Sequence, residues 1–211
     1  MAKLLGLEIS SGNLREKAGD FLPLRITCLR NCPGLLYPLD SIKRRWLLIP
    51  LGSFEDREDG PMALDTLIAL EVCCRASAKC RTAILWPLGV GYSPKHIHSI
   101  ELSPSTLRAA ITSIVRSARE RLRAKVLLVD GHIGHRDIVW GVAEVEGVSY
   151  INVWELLMRE GYDSWTKQME FEKDFTACLK GENCDKVDLL LDKLADSICH
   201  HIKGCDDLGS H

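Results

Sequence analysis

The sequence predicts an α/β protein with three layers, in which a mainly parallel central sheet carries helices on both faces. Short, continuous apolar segments typical of buried parallel strands alternate along the chain with longer segments of helical periodicity. No internal repeat or linker interrupts this alternation. The chain has 211 residues, a length that fits one domain spanning residues 1–211.

The first predicted unit is a strand followed by a helix. Residues 46–51 are a short apolar run, and residues 65–75 are rich in good helix formers. Asp65 stands at the start of this helix, where it either caps the helix or faces a site. A second strand is predicted over residues 83–88, before a glycine-rich turn.

The next helix is predicted to begin at Ser103 and Pro104. Serine accepts hydrogen bonds from the first backbone N–H groups of a helix, and proline has no N–H to leave unbonded. Residues 125–129 follow as a fully buried strand that ends at Asp130. Residues 161–182 are the least predictable segment of the chain. The remaining predicted elements are a helix over residues 137–145, a strand over 148–153 and an amphipathic helix over 185–203.

The charge balance argues against polyanionic partners. The chain has 27 Lys and Arg residues against 29 Asp and Glu residues, a formal net charge of −2. The sequence therefore lacks the positive charge typical of proteins that bind nucleic acids or anionic membranes. Its longest apolar runs are shorter than the roughly 20 residues that cross a bilayer, and no signal-peptide hydrophobic region is present. We expect a cytoplasmic protein with a small-molecule partner.

The nine cysteines do not form the pattern of a secreted disulfide framework. Their number is odd and no Cys-x-x-Cys pair occurs, so most are expected to be free thiols. Cys73 and Cys74 lie in the first predicted helix, where they are expected to be buried as small apolar side chains. Three spacings leave metal binding or bridging open, namely Cys28 to Cys32, Cys178 to Cys184 and Cys199 to Cys205.

Polar side chains follow three of the predicted strands, at residues 53–65, 93–98 and 130–135. Ligands of parallel sheets gather at the carboxyl ends of the strands, which makes these segments the functional candidates. Carboxylates combined with histidine are the ligands of Zn, Mn or Fe(II), so a metal site is the leading hypothesis. Each segment also has a simpler interpretation: a charge run is typical of a solvated loop, and His132 alone could be structural.

Three segments, in the same order, resemble motifs of the creatininase family. The first is Leu-Ile-Pro-Leu-Gly-Ser-Phe-Glu at 48–55, followed by Gly-Pro at 60–61 and Asp-Thr-Leu-Ile-Ala at 65–69. The second is Ser-Pro-Lys-His at 93–96 with Ile-Glu-Leu-Ser-Pro-Ser-Thr-Leu at 100–107. The third is Leu-Leu-Val-Asp-Gly-His-Ile-Gly-His at 127–135. The first segment and Ile-Ser-Ser-Gly-Asn at 9–13 resemble an archaeal branch of the family more closely. That branch removes a formyl group from a ribosylaminopyrimidine phosphate, which implies a role in riboflavin or F420 biosynthesis.

The resemblance implies a creatininase-like fold and a metal-dependent amidohydrolase that cleaves a non-peptide C–N bond. Carried over by position, Glu55, Asp65 and His132 are the metal ligands. Glu55 and His132 are then also catalytic residues, and His96 is a further catalytic candidate. The metal would lower the pKa of a bound water to about 7 and polarise the amide carbonyl.

The chain departs from the family pattern at several of these positions. Arg57 stands where the family has a histidine, and the distance from Glu55 to Asp65 is one residue shorter. Arginine cannot ligate a metal, so one ion per chain is expected rather than two. The positive charge of Arg57 would then take the place of the second metal ion, or Asp59 would be the ligand in place of the missing histidine. The remaining departures are Asp130 and His135 in place of the family's asparagines, where they are expected to hold His132 or complete the ligand set.

These departures leave two functions open. The first is a metal-dependent hydrolase, whose substrate the resemblance does not specify because the family's later substrate-binding segment is not recognisable. The second is a catalytically impaired protein that uses the fold as an oligomeric scaffold or a ligand-binding subunit. A homo-oligomer is implied by the resemblance. Trp165, Phe171 and Phe175 could cover a partner surface, or they could pack against the protein's own core.

Overall fold

The computed structural model describes Cys32, residues 45–56 and residues 62–208. Within these ranges the chain alternates strands and helices, as the sequence predicts. In chain order the elements are β1 (Trp46–Leu51), β2 (Phe54–Glu55), α1 (Leu64–Cys80), β3 (Ala83–Ile84), β4 (Ser99–Ile100), α2 (Pro104–Leu122), β5 (Lys125–Asp130), α3 (Arg136–Glu146), β6 (Ser149–Asn152), α4 (Val153–Arg159), α5 (Trp165–Leu179) and α6 (Cys184–Leu208).

The central sheet has the strand order β3-β1-β5-β6, and every pair in it is parallel. β1 and β5 are its two middle strands and pair over six residues, from Trp46 opposite Lys125 to Leu51 opposite Asp130. All of β1 and all of β5 after Lys125 are buried. The predicted parallel sheet and the burial of these two apolar strands are therefore confirmed.

Each face of the sheet carries its own apolar core. Side chains alternate along a strand, so Leu48 and Leu127 face one side while Leu47 and Val126 face the other. The first core is closed by α1, α4, α5 and α6, and the second by α2 and α3. This arrangement is the predicted three-layer architecture with helices on both faces.

The residues at the N-termini of α2 and α1 show how the sequence determines where these two helices begin. Ser103 caps α2, since its Oγ accepts a hydrogen bond of 3.2 Å from the Thr106 backbone N–H, as expected. α1 begins one residue before Asp65, and Ala63 occupies its N-cap position without a side-chain hydrogen bond. Asp65 is therefore not the cap, and its carboxylate is directed into the site described below.

The structure differs from the secondary-structure prediction in four places. The strand predicted over 83–88 ends at Ile84, and the chain rejoins the sheet at Leu88, which forms a parallel bridge with Leu51. The strand predicted over 148–153 ends at Asn152, whose side chain accepts from two backbone N–H groups and starts α4. The unpredictable segment contains α5, and the short antiparallel pair of β2 and β4 was also not predicted.

The expectation of mostly free thiols is wrong for the cysteines that the structure describes. Six of them are paired in disulfides, and Cys73 and Cys205 are free. The pairs are Cys32–Cys74, Cys80–Cys199 and Cys178–Cys184. The sequence alone does not reveal that α1 and α6 pack side by side, which brings the Cα atoms of Cys80 and Cys199 to 5.8 Å. Cys28 lies outside the described residues.

Two further findings concern surfaces. None of the helices in the described part of the chain is both long enough and apolar enough to cross a membrane. Phe171 and Phe175 are buried in the protein's own core, whereas Trp165 remains 69% exposed. Of the aromatic side chains expected to cover a partner, only Trp165 is therefore on the surface.

Candidate metal centre

Glu55, Asp65 and His132 converge although they are far apart in the sequence. Glu55 lies in β2 directly after β1, His132 follows β5, and Asp65 lies in the first turn of α1. All three are buried, and one ligand atom from each lies within 4.8 Å of the others. His132 Nδ1 is 2.6 Å from Asp65 Oδ2, and His132 Nε2 is 3.5 Å from Glu55 Oε2.

The turn after β1 holds Asp65 in place. Ser53 Oγ donates a 3.1 Å hydrogen bond to Asp65 Oδ2, and the Ser53 carbonyl accepts one of 3.1 Å from Thr66 Oγ1. Gly131 brings the turn after β5 against α1, since a Cβ at this position would overlap the Asp65 carbonyl oxygen. This close approach is why His132, one residue later, reaches the Asp65 carboxylate.

The charges around His132 favour a cation at this place. Burial is the largest single influence on the pKa of His132 and lowers it. The hydrogen bond and charge of Asp65, together with the charges of Glu55 and Asp130, outweigh burial and leave this pKa raised. Two carboxylates and an imidazole in a buried cluster can hold a proton or a divalent ion, and these are donor types that Zn and Mn accept.

His96 lies beside this cluster and is only partly exposed. Its Nε2 is 3.2 Å from Glu55 Oε1, and its Nδ1 is 3.1 Å from Asp56 Oδ1. The ring is thus fixed between two neighbouring carboxylates. His96 also lines the cavity described below, so the sequence candidate is at the site.

Asp130 and His135 lie directly behind His132 and are fully buried. Asp130 Oδ1 is 3.0 Å from the His132 backbone N–H and 2.8 Å from His135 Nε2. The Tyr92 N–H donates to His135 Nδ1 at 3.4 Å, so Nε2 is the nitrogen that carries a proton and donates to Asp130. His135 does not belong to the converging ligand group, although its ring centroid lies 4.9 Å from that of His132. The Asp130–His135 pair instead holds the backbone of His132.

Two more side chains complete the support of Asp130. Tyr150 Oη donates to Asp130 Oδ2 at 3.1 Å, and Asn152 Nδ2 lies at 3.4 Å from the same oxygen. Burial and the charge of Asp130 raise the pKa of Tyr150, which keeps its hydroxyl protonated as a donor. Both residues belong to β6, the strand next to β5, so the sheet register sets these contacts.

A buried serine was missed by the sequence reasoning. Ser93 Oγ is 3.3 Å from His132 Nε2, on the side of the ring opposite Asp65. Ser93, His132 and Asp65 therefore form a hydrogen-bonded chain. The Ser-Pro-Lys-His segment is the signal that could have found Ser93, since it follows a strand and contains His96.

A cavity of about 400 Å³ opens over the cluster. Its inner end contains Glu55, Asp65 and His132, and His96 lies at its side. The cavity is also lined by Trp165, which the sequence analysis assigned to a partner surface or the core, and by four residues to which it assigned no role, Trp154, Gln168, Met169 and Glu172. Arg57, Asp59 and the segment at 9–13 lie outside the described residues.

Comparison with known proteins identifies relatives of this chain. The family model described as creatininase, creatinine amidohydrolase, matches residues 40–183, more than half of the chain. No curated protein matches the chain significantly. Several solved structures also match the chain.

Three of these solved structures illustrate the similarity. A creatinine amidohydrolase (creatininase) is 19% identical, with a TM-score of 0.49, and the match covers 56% of this chain and 53% of that chain. A creatininase Mn structure is 20% identical, with a TM-score of 0.45 and coverage of 56% of this chain and 54% of that chain. A mutant creatininase of the Zn-Zn type is 18% identical, with a TM-score of 0.45 and coverage of 56% of this chain and 53% of that chain.

The match spans about half the length of each of these solved relatives. Similarity at this level of identity concerns the fold alone. The residues that the family model matches, in contrast, include β1, β5 and the three candidate metal ligands Glu55, Asp65 and His132. The chain belongs to the creatininase family.

Proposed function

We propose that this protein is a metal-dependent amidohydrolase that cleaves a non-peptide C–N bond in a small molecule. The observation that carries the proposal is the buried convergence of Glu55, Asp65 and His132 at the inner end of the cavity. Membership in a family named for amide hydrolysis supports the same reaction class. The substrate within that class is not specified by these observations.

The donor set fits a divalent ion. Glu55 and Asp65 supply carboxylate oxygens and His132 supplies an imidazole nitrogen, and their burial excludes most competing water. A divalent ion bound here lowers the pKa of a coordinated water and polarises a carbonyl oxygen. We propose one ion per chain, because Arg57 occupies the position at which the family has a second histidine.

Side chains around the site would hold the metal ligands in position and transfer protons. Asp130 holds the His132 backbone, and Ser53 holds the Asp65 carboxylate, so both proposed ligands are fixed before substrate enters. His96 lines the cavity with its ring held by Asp56, which places it to hold or deliver a proton at the leaving nitrogen. Glu55, 3.2 Å from His96, keeps that ring turned toward the site.

Metal stoichiometry tests the proposal directly. Protein loaded with Mn or Zn and then freed of unbound ions should contain one ion per chain by elemental analysis, and Asp65→Ala should contain none. Asp163→Ala, which alters an exposed carboxylate, serves as the matched control and should retain the ion. An absence of bound metal in the wild type would contradict the metal proposal, and two ions would contradict the single site.

An activity screen completes the test. The metal-loaded protein should hydrolyse at least one member of a panel of cyclic amides, formamides and linear non-peptide amides. Hydrolysis should stop on chelation and return when the ion is restored. If metal binds but no amide is hydrolysed by any preparation, the alternative of a ligand-binding or scaffold protein is favoured.

A second candidate function has one specific observation in its favour. The chain from Ser93 Oγ through His132 to Asp65, with distances of 3.3 Å and 2.6 Å, has the order of a serine nucleophile, a base and an orienting carboxylate. In that case Ser93 Oγ attacks the amide carbonyl carbon, and His132 transfers the serine proton to the leaving nitrogen as the C–N bond breaks. Water then hydrolyses the resulting acyl ester and regenerates the serine hydroxyl. Hydrolysis that survives chelation but disappears in Ser93→Ala would favour this function over the metal-dependent one.

A further inference from the structure

We propose that the Cys80–Cys199 disulfide is a redox-controlled tether that holds α1, and with it the Asp65 carboxylate in its first turn, in place. A dithiol reductant opens the tether and an oxidising disulfide closes it again. The proposal deepens the proposed function and rests on it in one step, the effect on metal binding. Its other steps concern the packing of two helices and are tested without any ion.

The disulfides of the described residues all lie in one layer of the protein. Together they involve α1, α5 and α6, which close the first apolar core. None of the described cysteines belongs to the second core, which α2 and α3 close. The cysteine-containing layer supplies Asp65, and its helix α5 lines the cavity. Redox chemistry therefore acts on the layer that carries part of the site.

The two ends of α1 are held by different contacts. Its first turn is fixed by the site, because Asp65 accepts a hydrogen bond from Ser53 and lies 2.6 Å from the His132 ring nitrogen. Its last turn ends at Cys80, which is bonded to Cys199 of α6. A helix moves largely as one unit, since each turn is hydrogen-bonded to the next. Freedom gained at the last turn therefore changes how firmly the first turn is held.

Without the disulfide, ion pairs and apolar packing would have to hold the C-terminal half of α1 against α6. Lys79 pairs with Asp192 at 3.5 Å and with Asp196 at 2.8 Å, and Arg75 pairs with Asp192 at 3.4 Å. The side chains of Asp192 and Asp196 are about half exposed, and ion pairs at such positions contribute little to stability. Among the described residues, the tether is the one disulfide that joins these two helices.

The tether is more accessible to a reductant than the other disulfide of α1. Cys80 is half-buried, whereas Cys32 and Cys74 are 1% and 3% exposed. A thiolate of the reductant therefore reaches Cys80 first, and exposed disulfides are the labile ones. The attack forms a mixed disulfide at Cys80 and releases Cys199 as a thiolate, which takes up a proton. The second thiol of the reductant then displaces Cys80, which leaves two cysteine thiols and the oxidised reductant.

The structure also accommodates the reduced form of the tether. The sulfur of Cys80 lies 2.9 Å from the Ala76 carbonyl oxygen, and the sulfur of Cys199 lies 3.5 Å from the same oxygen. A thiol is a weak hydrogen-bond donor and a carbonyl oxygen has two lone pairs, so both thiols have an acceptor after reduction. Reduction thus breaks the covalent bond without leaving a thiol unsatisfied in the core, and the fold can persist in both states.

Backbone amide exchange of the metal-free protein tests the tether. The wild type is measured in the oxidised state, after reduction with dithiothreitol and after reoxidation with oxidised glutathione. Reduction should accelerate the exchange of α1 amides at least about tenfold more than that of α2 amides, because α1 opens while the other layer stays packed. Reoxidation should restore the original rates. Alkylation and mass spectrometry should show Cys80 and Cys199 reduced before Cys32 and Cys74.

Two double variants locate the effect. Cys80→Ser/Cys199→Ser removes the tether and should bind Mn or Zn about tenfold more weakly than the wild type, as expected when the support of a ligand is lost. Cys178→Ser/Cys184→Ser is the matched control, since it removes a disulfide with a sequence separation of 6 residues at the turn between α5 and α6. It should leave α1 exchange and metal affinity as in the wild type. Metal affinity is measured on these variants because dithiols themselves bind such ions.

The outcomes separate the tether from the proposed function. Equal acceleration of exchange in α1 and α2, loss of secondary structure on reduction, or the same effect in the control variant would overturn the tether. If the wild type binds no metal while α1 exchange responds to reduction, the proposed function fails and the tether of the helix stands. If the variant without the tether binds metal as tightly as the wild type, control of the site is overturned and the proposed function stands.

Discussion

Replacing Asp130 by asparagine tests whether the residues behind His132 act as one unit. The carboxylate of Asp130 receives its shortest hydrogen bonds at Oδ1, from the His135 ring at 2.8 Å and the His132 backbone at 3.0 Å. At Oδ2 it receives those of Tyr150 at 3.1 Å and Asn152 at 3.4 Å. Asparagine has the same shape but only one acceptor oxygen. In Asp130→Asn, an NH₂ group must therefore face one of these two pairs of donors.

The expected cost follows from the contacts that are lost. A hydrogen bond to a charged group contributes roughly 1.5–3 kcal/mol, and a buried donor without its partner costs a similar amount. We expect Asp130→Asn to lower the free energy of unfolding by about 3–4 kcal/mol. His135→Asn removes one donor and should cost about 2–3 kcal/mol. The double variant restores the asparagines of the family motif, so its loss should be smaller than the sum by about 1–2 kcal/mol.

Urea unfolding of the wild type, both single variants and the double variant measures this coupling. Asp137→Asn makes the same chemical change at an exposed position of α3 and should alter stability by less than about 0.5 kcal/mol. Metal titration provides a second readout, since a residue that orients a ligand affects metal affinity by about 10–100-fold when it is removed. Additivity of the two single variants within about 0.3 kcal/mol, or metal affinity unchanged in Asp130→Asn, would refute the reasoning.

Four further outcomes are expected. Replacing Cys80 and Cys199 by serine removes a cross-link over a sequence separation of 119 residues, so urea unfolding should show a loss of about 5 kcal/mol from chain entropy. If this loss is no greater than the loss caused by removing the short-range Cys178–Cys184 disulfide, the chain-entropy explanation is contradicted. Gly131→Ala should push the turn after β5 away from α1 because its Cβ overlaps the Asp65 carbonyl oxygen. A cost of about 1–3 kcal/mol and weaker metal binding are expected, and wild-type metal affinity in this variant would count against the close approach. Arg116→Gln tests the ion pair that lowers the pKa of Glu146 through a hydrogen bond. The loss of stability in Arg116→Gln should be present at neutral pH and should vanish as pH falls through the lowered folded-state pKa of Glu146. A loss that does not change with pH would exclude the Arg116–Glu146 ion pair as its cause. Sedimentation should show a homo-oligomer, and a 23.6 kDa species alone at micromolar concentration would contradict that expectation.

Much of the fold is predictable because it depends on local chemistry. The apolar runs of β1 and β5 have no alternation, which requires burial on both faces and therefore a parallel middle strand. Ser103 with Pro104 fixes the start of α2 through a cap that needs no tertiary contact. Glu55, Asp65 and His132 were identified as candidate metal ligands by resemblance to the family motifs. The expectation that ligands bind after the carboxyl ends of parallel strands pointed to the same segments of the chain.

Other features required the packed structure. The start of α4 depends on Asn152 capping two backbone groups, and the sequence equally permits that residue to continue a strand. The segment that forms α5 has no clear apolar periodicity, because its buried face carries the polar residues Gln168, Glu172 and Thr176 beside two phenylalanines. The Cys80–Cys199 disulfide depends on the side-by-side packing of α1 and α6, which residues 119 apart do not specify locally.

The sequence by itself thus determined the layers of this protein, the parallel arrangement of its main strands and the residue types available at the ends of those strands. Only the tertiary structure decided that Asp65 reaches His132 at 2.6 Å, that Asp130 holds the His132 backbone, and that a carboxylate of α5 lines the same cavity. The physical reason is that hydrophobic pattern and capping act over a few residues, whereas the geometry of a site depends on how separate elements pack. Close approaches such as that of Gly131 to α1 set this geometry, and they exist only once the sheet and helices have assembled.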